Sequence, residues 1–199
     1  AVDARGGGVL PVREDHSGPG EPVNAIVAIA YGPPAGKGPA CEVKVIASGY
    51  DFYSTPRLSP DGSRLSWLSW RHPQMPWVGT ELWVAEVDGE GGVQRGERVA
   101  GGPSESIYQP GWSPRGELYF TSDRDGCWRV YRWSPAARRG AAVLTDPPPR
   151  TEFGRPQWVF GAATWTFAGP SQLVAACTQQ GRWTLAAVDT ARGSGRALA

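Results

Sequence analysis

The sequence predicts an all-β chain, a β-propeller of four-stranded antiparallel blades of which about three and a half are present. Three observations carry this. A hairpin-rich unit recurs along the chain at intervals near the 40–50 residues of propeller blades. Several strands are apolar on both faces, as in sheets stacked between two neighbours. The 199 residues include 27 glycines and 19 prolines, a density of turn formers that argues against a helical bundle.

The clearest unit is SIYQPGWSPRGELYFTSDRDGCWRVYRW, from Ser106 to Trp133. It predicts strands over 109–113, 117–122 and 128–133. The first turn has Pro114 before Gly116, and the second has Asp125-Gly126 between aromatic-rich runs, the strongest short-range hairpin signal. Pro56-Arg57-Leu58-Ser59-Pro60-Asp61-Gly62 matches Pro110-Gly111-Trp112-Ser113-Pro114-Arg115-Gly116, 54 residues later. Pro156-Gln157-Trp158, a further 46 residues on, is expected to open a third copy with a degraded turn. A later strand repeats over 24–29, 81–87, 128–133 and 183–188, each followed by a shorter one over 42–47, 94–100, 141–145 and 195–198. In order, residues 1–8 are an irregular start, 9–49 the end of a first blade, 50–102 a second, 103–147 a third and 148–199 a fourth. Closed propellers need about four to eight blades, and the chain opens at Ala1 without methionine, so the piece is expected to be part of a larger wheel. A β-sandwich is the competing architecture, but its strands do not recur as a four-strand motif.

Composition narrows the function classes. The net charge of +1 and pI near 8.0 give no field suited to nucleic acid. Only Lys37 and Lys44 are lysines, an arginine bias read as base composition. Cys41, Cys127 and Cys177 are widely spaced and odd in number, so neither a disulfide framework nor a zinc site is indicated. Reduced thiols in a cytoplasmic protein are the expectation. No apolar run approaches the roughly 20 residues of a membrane span, and no signal peptide opens the chain. No metal site or cofactor is expected. The ten tryptophans fit close-packed sheets, with Trp77, Trp112 and Trp158 read as inter-blade packing more than ligand platforms.

Further residues carry a resemblance. Val12-Arg13-Glu14-Asp15-His16, Tyr50-Asp51-Phe52-Tyr53, His72-Pro73-Gln74-Met75-Pro76-Trp77 and Phe153-Gly154-Arg155-Pro156-Gln157-Trp158 together resemble the N-terminal propeller of bacterial prolyl oligopeptidase-family serine peptidases. The similarity is to the dipeptidyl aminopeptidase/acylaminoacyl-peptidase branch and covers roughly residues 9–190. It implies a C-terminal α/β-hydrolase domain in the same parent chain and short peptides as substrates. The propeller would then gate access by size, since a ring of rigid blades leaves a channel too narrow for a folded protein. Loops 16–23, 71–80 and 123–127, with blade-to-blade loops 49–55, 101–108 and 146–155, are expected on one face. That longer, more aromatic face is expected to meet the catalytic domain, and turns 60–63 and 114–116 to lie opposite.

The chain itself is not expected to hydrolyse peptides. A hydrolase nucleophile sits in Gly-x-Ser-x-Gly and is followed by Asp and His. That motif does not occur, and the only histidines are His16 and His72. No catalytic residue is assigned. The candidates for substrate contact are His16, His72, Trp77, Glu105 and Glu152, read against loop-stabilising hydrogen bonds for the histidines and solvated loop charges for the acids. Two rival functions share the turns or the tryptophans. One is a TolB-like or WD-repeat-like interaction propeller. The other is a carbohydrate-binding or glycosidase propeller, which would need paired carboxylates facing one pocket, and no such constellation is visible in the sequence.

Overall fold

A computed structural model describes residues 1–2, 8–30, 43–88, 92–135, 137–145 and 150–198, the side chains of 137–139 aside. Among the described residues the chain is all strand and turn, with no helix. The first sheet holds β1 (Gly8–Val9), β2 (Val12–Asp15), β3 (Val23–Ala30) and β4 (Val43–Ala47). β1 and β2 pair successive stretches of β3, and β4 pairs its other edge. The predicted start of that last strand at Glu42, and Cys41, lie outside the described residues.

The second sheet runs β5 (Phe52–Leu58), β6 (Arg64–Trp70), β7 (Thr80–Glu86) and β8 (Glu97–Gly102). The third runs β9 (Ile107–Trp112), β10 (Leu118–Ser122), β11 (Arg129–Ser134) and β12 (Ala137–Ala142). Both are antiparallel meanders in chain order. The fourth holds β13 (Thr151–Glu152), β14 (Trp165–Gly169), β15 (Gln172–Gln179), β16 (Arg182–Asp189) and β17 (Ser194–Ala197).

The two-faced strands do what their sequence requires. Trp67 and Trp83 turn toward the first sheet with Leu65 and Ala85, whereas Leu68, Leu82 and Val84 turn toward the third. In β10 the alternation repeats: Leu118 and Phe120 pack on the second sheet, Tyr119 on the fourth with Trp165 and Leu173. Each interior sheet therefore separates two cores.

The predicted turns close as expected. At 59–64 the Gly62 N–H donates to the Ser59 carbonyl at 2.8 Å, with Gly62 at φ +70°. Asp61 Oδ1 accepts from the Ser59 hydroxyl at 2.6 Å and from the Ser63 N–H at 3.0 Å. These bonds to the ionised form hold the Asp61 carboxyl down at about 2. Gly116 at φ +77° repeats the arrangement without the aspartate.

The third copy of the opening proline is a correction. Leu173 pairs Phe167 as Leu118 pairs Trp112, so Trp165, not Pro156, stands where Pro110 stands. β13 and β14 are two halves of one first strand, both paired to β15. Where β9 needs only a bulge at Gln109-Pro110, the last sheet opens into a long excursion over residues 153–164. A Pro-x-Trp inside that excursion imitates the repeat.

Candidate functional site

The excursion builds the site. Its neck is closed by the Thr164 hydroxyl donating to the Phe153 carbonyl, and by the Phe153 N–H donating to the Trp128 carbonyl at 2.8 Å. Gln109 holds the same neck from the third sheet. Its Oε1 accepts from the Thr164 N–H and its Nε2 donates to the Trp165 carbonyl, each at 2.6 Å. Gly154 lies where a Cβ would come within 2.9 Å of the Trp128 side chain. Ends this close, with the span between them projecting, define an Ω-type loop.

Its tip crosses to the second sheet. Gln157, only 8 % exposed, donates from Nε2 to the Ser54 Oγ at 3.0 Å, a contact 103 residues apart in the chain. Trp158 lies against Trp77 with ring centroids 4.2 Å apart. The facing wall is the connection between β6 and β7, fixed underneath by the Thr80 and Ser106 hydroxyls, which both donate to the Pro76 carbonyl. Phe52 stacks on Trp70 at 5.4 Å and meets the His72 ring edge-on at 4.8 Å. Between the walls is a pocket of about 320 Å³ lined by Phe52, Trp70, His72, Met75, Pro76, Trp77 and residues 157–160.

Despite this anchoring the tip is presented to solvent: Trp158 is 71 % exposed, Val159 62 % and Phe160 67 %. Met75 and Val78 on the opposite wall are about half exposed. Contiguous exposed apolar patches of this kind mark sites of interaction. Trp77 and Trp158 pack on each other across the loop ends of the second and fourth sheets, though neither is part of a core between sheets. Trp112 packs in the core between the second and third sheets and donates from Nε1 to the Arg57 carbonyl at 3.0 Å.

The five sequence candidates separate. His72 and Trp77 line the pocket. Glu105 lies behind its wall, where Oε1 accepts from the Ser122 hydroxyl at 2.6 Å and pairs with Arg124 at 2.8 Å. Its backbone carbonyl also receives the Thr80 N–H at 3.0 Å. Arg124 in turn lies 4.5 Å over the Tyr131 ring, and the Tyr131 hydroxyl donates to Asp125. Burial, then that hydrogen bond, push the Tyr131 hydroxyl far up. Glu152 sits half-buried on β13, opposite Thr178. His16 is exposed on the first sheet's loop, 3.3 Å from Glu14.

Sequence reasoning missed Gln157, Ser54, Phe52, Trp70 and Phe160 as parts of one site. The one available signal was the apolar run Trp158-Val159-Phe160 beside glycine, too hydrophobic for an ordinary loop. The pocket supplies aromatic surface and no acid–base pair. Among the described residues no group of three or more His, Cys, Asp and Glu is placed to hold a metal ion.

No protein-family model matches the chain, and no curated protein does. Solved structures do. The whole chain matches propeller sections of prolyl oligopeptidase-family peptidases, and its fold is theirs. In particular it is similar to a puromycin hydrolase, at 29 % identity and TM-score 0.87 over 100 % of this chain and 30 % of that one. It is also similar to a Mycobacterium tuberculosis puromycin-hydrolysing peptidase, at 30 % identity and TM-score 0.84 over the same shares. TolB from Acinetobacter baumannii shares the fold alone, at 15 % identity and TM-score 0.58 over 95 % of this chain and 40 % of its own. The chain thus spans about a third of the length of the peptidases it resembles.

Proposed function

We propose that the chain is a non-catalytic, substrate-gating part of the propeller of a prolyl oligopeptidase-type serine peptidase acting on short peptides. One observation carries this reading: the match to two puromycin-hydrolysing enzymes over its whole length at 29–30 % identity. The chemistry belongs to an α/β-hydrolase domain of the parent chain, and the serine nucleophile lies there. The gate works by exclusion. Stacked sheets with cores on both faces deform little, so a folded protein cannot part them while a short peptide passes.

The apolar loop face supports docking of that domain on this side. Loops 71–79, 103–106 and 123–128 share it with the tip of the excursion, while the hydrophilic turns at 59–63 and 113–117 lie opposite. The trailing face of the fourth sheet supports a further blade. Trp183 and Leu185 project from β16, each 53 % exposed, away from the Ala186 and Val188 face packed on the third sheet. A cytoplasmic location and the absence of nucleic-acid and membrane partners belong to the same reading. Among the described residues no helix is long and apolar enough to cross a membrane.

The test is to read the coding sequence downstream and assay the full-length product on aminoacyl- and dipeptidyl-nitroanilides. A Gly-x-Ser-x-Gly whose serine is required for cleavage establishes the peptidase. A stop codon after further blades, with no cleavage, leaves the TolB-like alternative of an interaction propeller.

A further inference from the structure

We infer that the pocket between the Trp77–Trp158 and Phe52–Trp70 ring pairs is a receiving site for one large apolar side chain, preferably aromatic, of a short peptide. The inference rests on the peptidase reading for the word peptide, and on geometry for the rest. The volume, about 320 Å³, is at the small end of ligand pockets, which run from about 300 to 1,000 Å³. It suits one side chain and not a segment of folded protein.

The walls carry no carboxylate, ammonium or guanidinium group. The charged neighbours are already engaged. Arg71 lies 4.0 Å over the Tyr50 ring, and Asp51 Oδ2 accepts the His72 N–H at 2.8 Å. Gln157 Nε2 is committed to Ser54. A charged side chain entering here would find only the His72 imidazole and the Gln157 amide as polar neighbours, whereas an aromatic one meets ring faces and edges. The site is also held open before any ligand arrives. The neck at Phe153 and Thr164, the Gln157 tether and the Pro76 carbonyl's two hydroxyl donors fix both walls. Little ordering is left for binding to supply.

The experiment titrates the 199-residue chain with the blocked peptides Gly-Gly-Phe-Gly, Gly-Gly-Glu-Gly and Gly-Gly-Gly-Gly and follows indole emission. The phenylalanine peptide is expected to give a saturable change, with an affinity about tenfold or more above the other two, the worth of burying one aromatic side chain. Trp158→Ala and Phe160→Ala should each weaken it by about tenfold, Trp158→Phe should restore most of it, and Trp183→Ala on the fourth sheet's outer face should leave it unchanged. Trp158 and Phe160 are solvent-facing, so their truncation does not empty a core. Equal responses to the three peptides, or Phe-peptide binding that survives Trp158→Ala, overturn the assignment. So does a full-length product in which Trp158 is sealed from iodide quenching without peptide, because the catalytic domain then fills the pocket. Phe-peptide binding without nitroanilide cleavage by the full-length product keeps the pocket and removes the peptidase reading. Cleavage without Phe preference does the reverse.

Discussion

Replacing Gln157 with leucine tests the tether that makes the excursion a wall and not a free loop. The change keeps an apolar stem of similar reach but removes the donor to Ser54 Oγ at 3.0 Å. Ser54 is fully buried, and among the described residues its other side-chain hydrogen-bond partner is the Thr55 hydroxyl at a long 3.3 Å. Stranding a buried hydroxyl in this way costs about 1–3 kcal/mol. The Thr55 contact places the expected loss near the lower end, about 1.5 kcal/mol. Ser54→Ala, which removes the other partner, should cost about the same, because it strands the buried amide. The informative quantity is the double variant. Once one partner is gone the other has little left to lose, so the coupling energy should be about 1 kcal/mol, well above the roughly 0.3–0.5 kcal/mol scatter of independent sites. Urea unfolding of the four proteins gives the cycle. Near-UV circular dichroism reports the Trp77–Trp158 ring pair, whose signal should fall in Gln157→Leu. Additive losses with an unchanged ring signal would refute the reasoning, because the tip would then be held by something other than this bond.

Four other outcomes follow from the geometry. Phe120→Ala empties a fully buried position between the second and third sheets, so it should cost about 3–5 kcal/mol and lower Tm by roughly 10 °C in a thermal scan. Trp183→Ala should change the stability of this chain by no more than about 0.5 kcal/mol, yet destabilise a full-length product severalfold more if a further blade covers β16. Arg124→Met removes the partner of a Glu105 carboxylate that is mostly screened from water, and about 2 kcal/mol should be lost in denaturant titrations. Asp61 has its folded value depressed from 3.8 to about 2. Its stabilising contribution is therefore complete above the unfolded value and is lost as pH falls from about 4 toward 2. The stability difference between the parent chain and Asp61→Ala should be constant near neutrality and shrink across that window.

How much was legible in advance depended on the range of the interaction. The turns at Gly62 and Gly116 were readable because a positive φ and a proline are local requirements. The stacking of sheets was readable because Leu65 to Trp70 offers large groups at successive positions, and only a sheet covered on both faces tolerates that. His72 and Trp77 line one pocket because a single short loop carries both. Glu105 was not readable as an ion-paired residue, since its partners Ser122 and Arg124 come from the next hairpin.

By itself, then, the sequence determined the all-β class, the meander order within sheets and the two-core stacking, since each follows from patterns spanning a few residues. It also pointed to the peptidase propellers that the solved structures match. Tertiary structure alone decided where the last sheet's first strand resumes, because the Pro156 lookalike and the real position at Trp165 are equally plausible until β15 selects its partner by pairing. It alone decided that Gln157 reaches Ser54, and so that Trp158 and Phe160 face an aromatic pocket. A contact between residues so far apart in the chain leaves no periodic trace in either segment. Its free energy comes from burying one amide against one hydroxyl once the sheets have already stacked.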